Sequence, residues 1–318
     1  MRPSPYRREV LKLAGCVASG CVSGFLSAKE PDIRFPAEPR ERLAVASYPF
    51  RAYIEHPRRP AQKSAMPLTR FPAMVAERFH VRNVELLGDH FPSTEARYIH
   101  DLREAAEKAG TRIVNLPVSP RTSAYDPDPR KRTAAVEDGR KWVDVAAGLG
   151  AASIRVHIRA AGNAAPDPDR AAETLRSIAS YGEEKNVVVN LENDDPKSEE
   201  ASFIVKLIER VGSPYLRALP DFCNSMLIGP EQYNYDSVRA MFAHAYCISH
   251  VKDSEVDRGK VYRVDVDRTF AIAKASGYRG YFSMEWEGEG NPYDGTAKLL
   301  ETSLRNLATR CPGCAALV

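Results

Sequence analysis

The feature that most constrains this 318-residue chain is a regular alternation of two hydrophobic periods. Short β-prone runs occur at Leu43–Tyr48, Asn83–Leu86, Arg112–Leu116, Ser153–Ile158, Val187–Leu191, Arg217–Leu219, Tyr246–Val251 and Tyr281–Met284. Between them lie helix-like stretches, among them Thr94–Ala109, Thr133–Leu149, Ala171–Lys185, Ser198–Val211 and Val266–Ser276. Thr94-x-x-Arg97 and Asp167-Pro168 are helix starts, and Gly110, Gly150, Gly212 and Gly277 are stops before the next strand or turn. Strand–helix alternation predicts βαβ units and a parallel sheet. Eight such runs make a closed (β/α)8 barrel the expected fold, with a doubly wound open sheet as the competing one. The segments 51–67, 121–132 and 160–169 are rich in proline or charge and follow strands one, three and four. In a barrel all three fall on the C-terminal face, where long loops build the active site.

The length fits one barrel of about 250 residues plus an N-terminal extension. We expect residues 1–28 to be an export signal, 29–42 a linker, 43–310 a single barrel domain, and 311–318 a tail. Arg7-Arg8-Glu9-Val10-Leu11-Lys12 has the form of a twin-arginine signal, followed by a weakly apolar run from Leu13 to Leu26 and small residues at Ser27-Ala28. That run is too short to span a bilayer, which needs about 20 helical residues. The expected location is therefore periplasmic, with lipidation at Cys21 or, less favourably, Cys16 as a minority reading. The formal net charge is +3, and residues 1–28 carry Arg2, Arg7, Arg8 and Lys12 against Glu9 alone. The body is thus close to neutral and lacks the basic field of a nucleic-acid binder. Cys223 and Cys247 sit in apolar, strand-like settings and read as buried thiols. Cys311 and Cys314 form one C-x-x-C without a second pair, so a local disulfide is expected rather than a zinc site.

Four strand ends carry metal-ligand residue types: Glu192, Asp221, His250 and Glu285, separated by 29, 29 and 35 residues. One βα unit of such a barrel takes about 31 residues, so the four fall at the tops of strands five to eight. Alternation within the strands agrees. Asn190 and Glu192 oppose Val187, Val189 and Leu191, while Ser283, Glu285 and Glu287 oppose Phe282, Met284 and Trp286. Three carboxylates at one point need compensation near neutral pH. One divalent cation would supply it, and the oxygen-plus-imidazole set suits Mn²⁺, Co²⁺, Mg²⁺ or Zn²⁺. The competing reading is that acids at strand ends cap helices or pair with lysines.

Asn190-Leu191-Glu192-Asn193, Pro220-Asp221-Phe222-x-Asn224, Ser249-His250-Val251-Lys252-Asp253 and Ser283-Met284-Glu285-Trp286-Glu287-Gly288 resemble the signatures of xylose-isomerase-like TIM barrels, in particular the sugar phosphate isomerase/epimerase group. The opening Ser47-Tyr48-Pro49-Phe50-Arg51 resembles the first strand of that group, and the likeness runs over about residues 43–305. The resemblance implies that Glu192, Asp221, His250 and Glu285 bind one metal and that Glu192 and Glu285 also move a proton. Two departures stand out. Asn224 occupies a position where ketose epimerases usually carry histidine, and no histidine lies near Asp194. Substrate identity is therefore not implied.

Further candidates follow from strand alternation. Arg155 and His157 alternate with Ile154, Val156 and Ile158 and can point into the mouth, to bind substrate or to form an internal ion pair. Lys252 shares a face with His250 and can polarise a carbonyl oxygen. Asn224 and His90 are expected to contact substrate, and Trp286 and Glu287 are further wall candidates, whereas Glu85 with Asn83 reads as a structural interior pair. The expected activity is a metal-dependent sugar isomerase or epimerase, abstracting a proton beside a carbonyl through an enediolate. A keto-glycoside lyase or hydratase using the same site is the alternative, and a catalytically inactive sugar-binding protein is a weaker one. The endonuclease branch of the fold needs a histidine-rich trinuclear site, whereas only His157 and His250 stand at strand ends here. The expected partner is a small carbohydrate, with no nucleic acid and no membrane span; a homo-oligomer is compatible with the sequence.

Overall fold

Eight parallel strands are ordered β6-β5-β4-β3-β2-β1-β10-β7 around a barrel in the computed structural model, which describes residues 29–58 and 65–309. The strands are β1 (Leu43–Ala46), β2 (Asn83–Glu85), β3 (Arg112–Val118), β4 (Ser153–Val156), β5 (Val188–Glu192), β6 (Leu216–Leu219), β7 (Ile248–Val251) and β10 (Tyr281–Met284). Parallel bridges Ala218 to Ala245 and Asp221 to His250 join the β6 and β7 edges and nearly close the ring. Outside it lie α1 (Phe71–Phe79), α2 (Ala96–Lys108), α3 (Pro129–Leu149), α4 (Pro168–Lys185), α5 (Ala201–Val211), α6 (Glu231–Phe242), α7 (Val266–Ala275) and α8 (Pro292–Ala308). The expected barrel is therefore the observed one. The expected export signal, its cysteines and the C-x-x-C tail lie outside the described residues. No helix among the described residues is long and apolar enough to cross a membrane.

Local chemistry explains several boundaries. Asp128 and Asp167 accept from the backbone N–H groups of Arg130 and of Asp169 and Arg170, capping α3 and α4, and a proline follows each cap. Both helices therefore start earlier than apolar periodicity suggests, because their first turns are polar. Buried strands carry apolar residues toward the helices and polar ones inward: Asn115, Ser153, Asn190 and Ser283 are all buried.

Two features differ from the expectation. Residues 29–42, expected to link, are docked along the N-terminal end of the barrel. There Asp32 and Asn186 exchange two hydrogen bonds, and the Phe35 ring lies 5.3 Å from Tyr246 and 5.7 Å from Tyr281. After β7, a hairpin of β8 (Ser254–Asp257) and β9 (Lys260–Arg263) is inserted before α7.

Candidate metal centre and catalytic cavity

The C-terminal ends of β5 to β7 and β10 bring Glu192, Asp221, His250 and Glu285 together. One ligand atom from each lies within 4.8 Å of the others. The register accounts for this: Ser283 pairs with His250 across β10 and β7, and Asp221 bridges to His250. All four side chains are buried.

His250 sits at the centre. Its Nδ1 is 2.8 Å from Glu192 Oε1 and 3.0 Å from Glu285 Oε2, while Nε2 faces Glu85 at 3.0 and 3.1 Å. Asp221 Oδ1 accepts from the backbone N–H groups of Cys223 and Asn224 at 2.8 and 2.7 Å. Its other oxygen, Oδ2, is buried without a hydrogen-bond partner, with the Lys252 ammonium 3.7 Å away.

The electrostatics show how strained this acid cluster is. Burial, with Glu192 and Glu285 adding to it against the pull of Lys252, pushes Asp221 up to about 8. Burial also raises Glu285 despite His250 and Lys252. Burial would raise Glu192 as well, but Arg155 and then His250 hold it well below the carboxylate range. Against its own burial, His250 is held well above the usual imidazole value by Glu192, Glu285 and Glu85. Three carboxylates, one of which (Asp221) has an unpartnered buried oxygen, and one imidazole nitrogen are the donor set of a divalent cation, and these residues fit one. In that arrangement Nδ1 would ligate and Nε2–H would donate to Glu85, a carboxylate–histidine–metal relay.

Glu192, His250 and Glu285 of the cluster line a cavity of about 320 Å³, within the range of small-molecule sites. Arg155, His157, Asn224 and Lys252 line it, as expected. Arg155 Nε lies 2.6 Å from Glu192 Oε2, and its Nη2 pairs with Asp194. His157 Nδ1 lies 2.6 Å from Glu199, so strand four supplies ion pairs that tie down the post-β5 loop. Lys252 Nζ donates to Asn224 Oδ1 at 3.0 Å, Glu255 at 3.2 Å and Glu287 at 2.6 Å, and stands 3.4 Å from Glu285. Burial would lower its pKa, yet Asp221, Glu287, Glu285 and Glu255 hold it well above the usual value.

His90, in the 3-10 turn at Gly88–His90, is buried with Nδ1 3.1 Å from Ser47 Oγ, next to the cavity-lining Leu87 and Asp89. Trp286 packs against the core instead, while Glu287 does line the cavity. Glu85 and Asn83 are not a pair: Asn83 donates to Leu43 O and Glu41 O, while Glu85 takes Asn115 and His250. The supporting role of Glu85, the ion-pairing of Asp194 and Glu199, and Glu255 on the hairpin were not foreseen. Only Glu85, an inward acid at a strand end, carried a positional signal.

The family model described as xylose isomerase-like TIM barrel matches residues 76–308. Among curated proteins, none matches the sequence. Several solved structures share the fold. A xylose isomerase-like TIM barrel protein from Mycobacterium smegmatis in complex with magnesium has a TM-score of 0.66 at 16% identity, covering 85% of this chain and 98% of that one. D-allulose 3-epimerase from Methylomonas sp. gives 0.66 at 15% identity, covering 86% and 100%. A probable 3-DHS dehydratase involved in petrobactin synthesis in Bacillus anthracis gives 0.58 at 14% identity, covering 82% and 98%.

Proposed function

The chain belongs to the xylose isomerase-like TIM-barrel family, and from that premise we propose that it is a divalent-metal-dependent sugar isomerase or epimerase. The observation that carries this reading is the convergence of Glu192, Asp221, His250 and Glu285 on one point, with Asp221 Oδ2 buried and unpartnered. When bound, the cation would stabilise negative charge developing on substrate oxygens. The chain's own residues do the rest. Glu192 and Glu285 stand on strands separated by two others and reach the same cavity, so one can take a proton from carbon and the other return it. Arg155 fixes the Glu192 carboxylate. The three hydrogens of the Lys252 ammonium go to Asn224, Glu255 and Glu287, so Lys252 orders that wall of the cavity and offsets its acids.

The substrate is an uncharged carbohydrate. Among the described residues on the cavity wall, each cation already faces carboxylates, Arg155 through Glu192 and Asp194 and Lys252 through Glu287 and Glu255. A phosphate ester would find no unmatched cation there. We also propose periplasmic export through Arg7-Arg8, which would favour an unphosphorylated substrate because sugar phosphates are chiefly cytoplasmic.

Solvent-deuterium incorporation into a panel of keto sugars tests the proposal. Metal-loaded protein should label at least one of them beside its carbonyl. Glu192→Gln and Glu285→Gln keep shape and one ligating oxygen but lose the proton site. Each should retain much of its metal and lose turnover on the order of 10²-fold or more. Near-normal turnover in both variants would sink the mechanism and turn attention to Lys252 and His157.

A further inference from the structure

Glu255 belongs to neither the ligand set nor a barrel strand. It is carried by β8 of the inserted hairpin, yet it lines the same cavity as Glu192 and Glu285, with a side chain only 12% exposed. Its Oε1 accepts from the Val256 N–H at 3.0 Å, its Oε2 lies 3.2 Å from Lys252 Nζ, and its carboxyl shares a hydrogen bond with Glu287. Two carboxyls in mutual hydrogen bond must hold a proton between them. Tyr48 also hydrogen-bonds Glu287, and Tyr262 faces Glu255 across the hairpin. Lys252 is the cation beside this carboxyl, and the Cys223 thiol, whose own pKa Glu255 helps to raise, is a further titratable neighbour. Burial raises Glu255 to about 7 against the pull of Lys252, with the hydrogen bond to Glu287 adding to the rise. The shared proton therefore resides on Glu255.

We propose that Glu255 is a catalytic acid that protonates a departing substrate oxygen, so that the cavity can cleave a carbon–oxygen bond β to the carbonyl as well as shift a proton. The inference rests on the reading of Glu192 and Glu285 as the carbon bases. In the step, one of those glutamates takes the hydrogen beside the carbonyl as a proton, and the electron pair left behind becomes a carbon–carbon double bond. The bond from the next carbon to its oxygen substituent breaks with its pair going to oxygen. The Glu255 proton moves to that oxygen. The products are an enone and an alcohol, or water, with the new Glu255 carboxylate beside Lys252. Transfer through solvent returns the base's proton to Glu255, so no other reactant is required.

The test uses a methyl and a para-nitrophenyl glycoside of the same sugar, each with a ketone two carbons from the anomeric centre. Nitrophenolate leaves without protonation, whereas methoxide needs an acid. Wild-type, metal-loaded protein should release both alcohols. Glu255→Gln should release methanol on the order of 10²-fold more slowly and nitrophenol within a few-fold of wild type, and Glu255→Asp should recover part of the methanol rate. Equal losses for the two leaving groups, or no loss for either, would overturn the assignment. Wild-type protein that exchanges deuterium with the methyl glycoside but releases neither alcohol also overturns it and leaves the isomerase reading intact. Absence of exchange with any keto sugar would remove that reading and this one together.

Discussion

His250 is gripped from both sides of its ring, by Glu192 and Glu285 at Nδ1 and by Glu85 at Nε2, and Glu85 is itself fixed by Asn115 Nδ2 at 2.6 Å. Carboxylates behind a ligating imidazole orient the ring and raise its basicity, and their loss typically costs 10- to 100-fold in metal affinity. Glu85→Gln, which keeps the shape but not the charge, should weaken divalent-metal binding by about that factor in a calorimetric titration. Unchanged affinity would make Glu85 a packing residue. His250→Ala and Asp221→Ala remove ligands outright and should leave purified protein almost free of metal by elemental analysis. The residue types at the strand ends were legible because alternation assigns each side chain a face. The partners of those residues were not, since Glu85 lies 165 positions from His250 and only barrel closure brings them into contact.

At the scale of elements, the wall depends on close approaches between helices and strands. Gly182 lies in the last turn of α4, where an added Cβ would stand 2.4 Å from the Val187 carbonyl oxygen just before β5. That oxygen belongs to the backbone and cannot rotate away. Gly182→Ala should cost about 1–3 kcal/mol, read as a lowered urea midpoint. No change would mean that α4 shifts freely on β5. The β8–β9 hairpin shows what a periodicity reading passes over. Its turn places Arg258 at φ 50° and Gly259 at φ 78°, the two left-handed positions of a type I′ connection. The strands are four residues each and half-exposed, so neither presents the apolar run by which the barrel strands announce themselves. Arg258-Gly259 was the only available mark, and its meaning depends on the pairing it connects.

For the whole molecule, a divalent cation held by the buried cluster would couple its binding to folding. A ligand at a hundredfold excess over its dissociation constant stabilises the native state by about 2.7 kcal/mol. That corresponds to a rise in thermal midpoint of roughly 5–10 °C for a domain of this size. Chelation should reverse the shift, and Asp221→Ala should abolish it; a midpoint indifferent to Mg²⁺, Mn²⁺, Co²⁺ and Zn²⁺ alike would argue against a resident metal. Export is the other proposal that concerns the entire chain. Arg7→Lys with Arg8→Lys should leave precursor in the cytoplasm by cell fractionation, and normal maturation of that double variant would end the twin-arginine reading.

What the amino-acid sequence determined by itself was everything carried by local period and by position at strand ends. The eightfold βα order, its glycine and proline punctuation, and the acids and imidazole at the tops of strands five to eight all follow from side-chain alternation and backbone preference, which act over a few residues. Tertiary structure decided what those side chains meet. Barrel closure set Glu85 behind His250, the post-β5 loop brought Asp194 and Glu199 to Arg155 and His157, a 3-10 turn set His90 against Ser47, and the hairpin delivered Glu255 to Lys252 and Glu287. Contacts of that kind depend on the meeting of distant segments, whose geometry no local pattern encodes, and in a buried low-dielectric cavity they set which carboxyl keeps its proton.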